Sequence, residues 1–289
     1  MLGRSMVRFQ KDEMQLANLS TDGNPSSWIN LGLWSGGESF DGRGFASASS
    51  ALALAVVSQL SLAQRALVID CGCGHGDLLG SLAEARPDLV LIGVNIDAME
   101  CSAARARATQ AHIVHADAVA YCQAASQAQK LRGAFVVSVD SAYHFNTRLA
   151  FMKAVGAGGA AGLSMSDICL SEAWYRSGSQ NSLGVLTRAW RSLCLMVISR
   201  VAGVPQVNLV VGPSALRLQL VNECGFASAK VRVITDQVLE PFAAHCLARC
   251  GGMHFSKKWA VLWSSAWFMR LLAWSGAVDV VLVAAPCAD

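Results

Sequence analysis

The sequence predicts an α/β protein whose parallel sheet is covered on both faces, and two observations carry that prediction. Short, almost wholly apolar runs alternate with helix-length segments, as strands do when crossover helices bury them on both sides. Residues 66–69 and 89–95 are two such runs, separated by a segment that ends at Arg86-Pro87, where proline stops a helix. Between the first run and its helix lies the turn Asp70-Cys71-Gly72-Cys73-Gly74-His75-Gly76-Asp77. Glycines let the backbone bend sharply there, and the N–H groups opening the next helix face whatever the turn holds.

The remaining elements follow in chain order. Residues 46–62 read as a buried helix leading into the first strand; the uncharged stretch 44–64 is long enough to span a bilayer, but its serines and two glutamines favour a core helix. A helix is expected over 103–110, a third strand at 113–116 ending in Asp117-Ala118, and a fourth at 133–139 ending in Val139. The run Asp140-Ser141-Ala142-Tyr143-His144-Phe145 then emerges from a strand's carboxyl end, where open parallel sheets bind ligands. A fifth strand is expected at 160–165, followed by Ser166-Asp167-Ile168. From 169 to 208 the pattern turns to apolar helices carrying Trp174, Tyr175 and Trp190, and Gly203-Val204-Pro205 ends them. A helix at 214–224, closed by Gly225-Phe226, and strands at 230–234 and 278–284 complete the pattern.

Composition bounds the function. At 289 residues the chain can bury a full core, and with 53% hydrophobic and 15% charged residues it is apolar for a soluble protein. A net charge of +3 without any Lys/Arg block argues against a nucleic-acid partner. The apolar excess therefore belongs to a core, an apolar substrate cavity or a membrane surface. The 10 cysteines are scattered without paired spacing in a chain too long for a stapled fold, so reduced thiols are expected. Residues 1–15 mix charges with no apolar stretch, which is not a secretory signal and leaves a cytosolic location as the expectation.

Three further features each admit two readings. Trp28 and Trp34 flank Ile29-Asn30-Leu31-Gly32-Leu33 and precede Ser35-Gly36-Gly37; they either close over a ligand as a lid or anchor an amino-terminal arm on the core. Trp259, Trp263 and Trp267, with Trp274 beyond, share one helix face, as core packing or as an interfacial helix with Lys257, Lys258 and Arg270 near anionic lipid. His245-Cys246-x3-Cys250-x3-His254 does not have a zinc spacing, because Gly251-Gly252 interrupts the helix; surface histidines and buried cysteines are expected, and no metal site.

The spacing of the glycine turn selects a cofactor class. A dinucleotide site needs Gly-x-Gly-x-x-Gly, but Asp77 occupies the third glycine's position, and its carboxylate would repel a pyrophosphate. Asp70-x-Gly72-x-Gly74-x-Gly76 resembles the first motif of class I S-adenosylmethionine-dependent methyltransferases. Asn30-Leu31-Gly32-Leu33-Trp34 before the first strand, beside the Asn-Leu-Gly-aromatic-Trp stretch that small-molecule members of that family carry there, the Tyr-His-Phe after the fourth and Gly158-Gly159 before the fifth are similar to those members.

The resemblance implies a Rossmann-like seven-stranded methyltransferase sheet with its last strand antiparallel, flanked by helices and carrying a helical cap insertion. It divides the chain into an arm or lid at 1–45, the cofactor-binding core at 46–168, the cap at 169–213 and the rest of the core at 214–289. The implied cofactor is S-adenosyl-L-methionine, held by Asp70, Cys71, Gly72, Cys73, Gly74 and Gly76 of the turn, by Asn95 and Ile96 after the second strand, and by Val139 after the fourth. Asn95 stands where the family carries an acid that grips the ribose, so the charge-assisted strength of that contact is lost. Asp117, beside Ala118, is the implied adenine contact, or alternatively a helix N-cap. Trp34, Asp167, Trp174 and Trp190 are the implied acceptor contacts.

Methyl transfer from a sulfonium is an in-line displacement that needs alignment and exclusion of water. An acceptor hydroxyl or ammonium also needs a base, for which His144 is the candidate, with Tyr143 or Asp140 orienting the acceptor; the alternative is that His144 only packs in its loop. A small, apolar acceptor such as a lipid, terpenoid, phenolic or alkaloid is expected. A cofactor-binding scaffold without catalysis is the competing class.

Overall fold

The computed structural model describes residues 27–38, 42–177, 192, 195–250 and 257–287. Helix α1 (Gly42–Val57) buries Phe45, Ala48, Leu52 and Val56, a helical stripe, and leads to β1 (Leu67–Cys71). After the glycine turn, α2 (Asp77–Ala85) buries Leu78, Leu79, Leu82 and Ala83 and ends at Arg86. Then come β2 (Val90–Asn95), α3 (Ala98–Arg107), β3 (His112–His115), α4 (Ala118–Gln127), β4 (Phe135–Ser138), α5 (Arg148–Ala157) and β5 (Gly162–Leu170). Caps set several starts: Asp97 accepts from the N–H groups of Met99 and Glu100, Asp117 from Ala120, and Thr147 from Ala150.

Beyond β5 lie α6 (Glu172–Ser177), a helical stretch through residues 195–201, α7 (Gly212–Cys224), β6 (Lys230–Val233), α8 (Leu239–Cys250), α9 (Lys257–Ser275) and β7 (Val278–Pro286). The seven strands form one sheet in the order β3-β2-β1-β4-β5-β7-β6. β7 runs antiparallel to both of its neighbours, and the other neighbouring strands pair in parallel. This is the implied architecture. Alternating strand residues feed two cores: Val68 joins Leu52, Leu79, Phe242 and Leu262 on one face, while Ile69 joins Cys122, Phe151, Leu216 and Leu220 on the other.

Two features of this architecture position the site. The strand order reverses between β1 and β4, so a crevice opens beyond their carboxyl ends. The hairpin α8–α9 leaves after β6 and returns where Val278 pairs with Leu170, at that same carboxyl edge of the sheet.

The helix expected over 103–110 spans Ala98–Arg107 instead, and the structure departs from the sequence reading in other places as well. β5 continues to Leu170, which carries Ser166, Asp167 and Ile168 into the sheet opposite Leu282, Val281 and Val280. The expected strand end at residue 165 was a change of polarity, and the buried Arg148 that neutralises Asp167 comes from α5. His245 is fully buried, with its ring 5.3 Å from those of Trp34 and Phe45, where a surface histidine was expected. Trp263, Trp267 and Trp274 are exposed, which excludes core packing for those indoles. The first helix begins at Gly42 and stops at Val57, short of the expected end at 62.

Candidate functional site

The crevice is a cleft of about 470 Å³, solvent at its open mouth included, lined by Trp28, Ile29 and Asn30 of the arm, by Asp70, Gly72, Cys73, Gly74, His75, Asp77 and Leu78 around the glycine turn, and by Val139, Asp140 and Ser141 after β4. Gly72 and Gly74 have φ of +84° and +53°, in the left-handed region that L side chains avoid. The turn is also crowded from outside. A Cβ on Gly72 would fall 2.0 Å from Ser141 Oγ, and one on Gly74 would fall 2.8 Å from Ile29 Cδ1. The amides of Gly72 and Cys73 already donate to the Val94 carbonyl, at 2.8 and 3.2 Å, so they brace the turn against β2.

Asp70 closes the floor. Its carboxyl is buried, Oδ1 has no hydrogen-bond partner, and burial pushes its pKa up to about 7. A buried carboxylate without a partner is an unfinished site for a cation. Such a donor set fits a ligand carrying an ammonium or sulfonium and opposes a pyrophosphate. Asp77, the residue that breaks the dinucleotide spacing, is held by Arg107 and by the Ser27 hydroxyl.

The arm crosses the cleft and is tied down at both sides. His75 Nδ1 lies 2.9 Å from the Ser27 carbonyl, and the Leu31 N–H donates to Asp140 Oδ2 at 2.8 Å. Trp28 lines the cleft, whereas Trp34 is buried, donating its indole N–H to the Leu31 carbonyl at 3.0 Å and packing on Phe45 and His245. Trp28 therefore borders the cleft while packing on the core, and Trp34, an implied acceptor contact, sits in the core.

The loop after β4 is held by a buried polar hub. Arg148, at 1% exposure, bonds Asp167 Oδ1 at 2.5 Å, the Ile168 carbonyl at 3.1 Å and the Asn208 carbonyl. Asn208 in turn donates to the carbonyls of Tyr143 and Phe145, at 2.9 and 2.7 Å, and accepts from the Arg148 N–H. Asp167 is therefore engaged inside the fold and does not line the cleft. Nothing in the sequence marked Asn208, one of two amides, with Gln206, in an otherwise apolar segment.

Tyr143 donates to Asp140 Oδ1 at 2.6 Å, and burial raises the pKa of both groups. His144 lies one residue on, its ring 4.3 Å from that of Tyr143 and its Nδ1 3.2 Å from the Gly203 carbonyl. A carbonyl only accepts, so Nδ1 carries the proton and Nε2 keeps its lone pair. Packing around the ring lowers the His144 pKa although the residue keeps an edge open to solvent.

The other expected residues are placed as follows. Asn95 Nδ2 reaches Glu100 Oε2 at 2.5 Å and the Gly74 carbonyl at 3.3 Å, while its Oδ1 accepts from the Ile96 N–H. Glu100, buried behind it, was not foreseen; it restores a carboxylate to the end of β2 from five residues away. Ile96 is exposed beside the cleft turn's neighbour strand, and Asp117 is an exposed N-cap next to the buried Ala118. Cys71 is buried with its Sγ 3.7 Å from that of Cys122, Cys73 lines the cleft, and Gly76 ends the turn as the residue before α2. Trp174 is half-buried against the first core, and Trp190 and His254 lie outside the described residues. The described cysteines are free thiols.

No protein-family model and no curated protein sequence matches the chain. Solved structures do match along nearly its whole length. Mycolic acid cyclopropane synthase, complexed with SAH and CTAB, aligns at a TM-score of 0.69 and 13% identity over 96% of this chain and 95% of that one. Geranyl diphosphate C-methyltransferase from Streptomyces coelicolor, in complex with Mg2+, geranyl-S-thiolodiphosphate and S-adenosyl-L-homocysteine, aligns at 0.63 and 13% over 99% and 98%. The cyclase SpnF aligns at 0.64 and 15% over 99% and 96%. Likeness at identities of this size carries the fold alone: the chain has the fold of the class I S-adenosylmethionine-dependent methyltransferases.

Proposed function

We propose that the chain is a methyltransferase that uses S-adenosyl-L-methionine to methylate a small, apolar acceptor such as a lipid, terpenoid, phenolic or alkaloid. The observation that carries this reading is the partnerless oxygen of Asp70, buried under a glycine turn at the strand-order reversal. In this reading Asp70 takes the donor's ammonium, with the Gly72-to-Gly76 turn, Cys71 and Cys73 around it. Asn95, backed by Glu100, faces the ribose, while Ile96, Asp117, Ala118 and Val139 flank the base. The bound donor supplies a methyl group already activated by its sulfonium.

The chain's own residues do the rest. Trp28 and Ile29 line one side of the cleft, and with the donor bound they shield it from water. Asp140 holds the arm through Leu31 and the loop through Tyr143, so both walls of the cleft meet at one carboxylate. His144 Nε2, neutral and unprotonated near pH 7, takes the acceptor's proton where the acceptor has one to lose. The apolar composition and the mycolic and geranyl names of the structural neighbours support an apolar acceptor, and Trp174 and Trp190 of the cap are assigned to its pocket. A cytosolic location goes with this reading; among the described residues no helix is long and apolar enough to cross a membrane.

A thermal-shift comparison tests the proposal. At about 100 times its Kd, S-adenosylmethionine or S-adenosylhomocysteine stabilises the fold by about 2.7 kcal/mol, a rise of a few degrees, while NAD gives none. A shift with NAD, or none with either sulfur nucleoside, refutes it. With labelled methyl donor and apolar extracts to supply the acceptor, His144→Gln is expected to cut turnover roughly a hundredfold or more while leaving donor affinity in place.

A further inference from the structure

The exposed indoles of α9 remain unexplained by the cleft. Trp263, Trp267 and Trp274 are 51%, 47% and 85% exposed, and Leu271 is 55% exposed. At 100° per residue these four fall within an arc of about 80°, and from Trp263 to Trp274 the stripe runs about 16 Å. The opposite arc holds Leu262, Ala266 and Leu272, buried against the body of the protein. The helix is thus apolar on both sides, and one side faces water. Its indoles are held in place: Trp263 and Trp267 meet edge to face at 5.9 Å, and the Arg270 guanidinium lies 5.6 Å from the Trp267 ring while pairing with Glu240 of α8.

Charge and area select the partner. The helix contains Lys257, Lys258 and Arg270 and no acidic residue. Three indoles and a leucine exposed to these extents present on the order of 500 Å², taking a full tryptophan as about 250 Å². A stable protein interface needs roughly 800 Å² on each side. Tryptophan beside lysine or arginine, on a helix that lies flat, is the composition of a bilayer interface. We propose that the Trp263–Trp267–Leu271–Trp274 face of α9 docks the protein on an anionic lipid bilayer.

Position adds to this. Trp274 stands four residues before Val278, which pairs with Leu170 at the carboxyl edge of the sheet, the edge that carries the cleft. The segment between β5 and α7 leaves and rejoins at the same edge, through the bridge from Leu170 to Val211, and exposes Met196, Val197 and Val201. Docking goes beyond methyl transfer and does not depend on it; with both, an acceptor dissolved in the bilayer reaches the cleft without crossing water.

Co-sedimentation of the purified full chain with phosphatidylcholine vesicles, with and without phosphatidylglycerol, tests the inference. Wild type is expected to sediment with the anionic vesicles, with a blue shift of tryptophan emission. The triple variant Trp263→Ser, Trp267→Ser and Trp274→Ser, its folding checked by its melting temperature, is expected to lose at least about tenfold in bound-to-free ratio. Lys257→Glu with Lys258→Glu is expected to remove the preference for phosphatidylglycerol. Wild type that stays in the supernatant, or a triple variant that sediments like wild type, overturns the inference. So does a wild-type dimer that the triple variant dissolves while neither form sediments with vesicles.

Discussion

Asp70 costs the ligand-free protein stability. Its pKa of about 7, set by burial, lies above the ordinary 3.8, so between those values the native state binds a proton that the unfolded chain has released. Stability therefore falls as pH rises through that window, by a few kcal/mol in all, on the order of 1.4 for each unit. Asp70→Asn is expected to melt higher than wild type at pH 8 and close to it at pH 4. The same variant is expected to bind S-adenosylmethionine about ten- to a hundredfold more weakly, because the charge-assisted contact is gone. In wild type, donor affinity should rise with pH up to about 7, as ionisation of the carboxyl ceases to oppose binding; calorimetry across pH 5 to 8 reads both effects. Asp70 and the glycines after it were legible in the sequence because turn chemistry is local. Glu100 and Asn208 were not, since each acts through a partner that only the folded chain supplies: Asn95 for one, Arg148 and two loop carbonyls for the other.

Among the elements, the arm separates what is structural from what serves the cleft. Trp34 is buried among Phe45 and His245, so Trp34→Ala is expected to cost about 3–5 kcal/mol of stability, visible in denaturant unfolding. Trp28 lines the cleft and is half-buried; Trp28→Ala should leave the melting temperature nearly unchanged and weaken donor binding about tenfold, roughly the worth of one aromatic face. A reversed pattern would make Trp34 the lid. The sequence paired the two residues because spacing shows that both are aromatic and near the first strand, but not which one meets α8. The extent of β5 was obscured for the same reason. Ser166 and Asp167 look like a loop until Arg148 is seen beside them. For α9, periodicity put Trp263, Trp267 and Trp274 on one face as the structure has them, the Trp259 side chain lying outside the described residues, yet apolar residues occupy both sides of the helix and periodicity then says nothing about which arc faces the core.

At the scale of the whole molecule, the alternation of apolar runs with helices was enough to read a doubly covered sheet, because that architecture follows from burial on both faces. The antiparallel β7 came from resemblance alone; its apolar run is like any other until the α8–α9 hairpin delivers it at the carboxyl edge. β7 sits between β5 and β6, and among the described residues β6 bonds to no other strand. β6, though it follows β5 in the sequence, thus waits on a strand made after both. The chain can assemble β3-β2-β1-β4-β5 as soon as those residues exist, but β6 stays idle until β7 has threaded in beside β5. In pulse-labelling hydrogen exchange during refolding, amides of Arg232 and Ile234, the positions that face β7 in the ladder, should gain protection together with those of β7 and not before it.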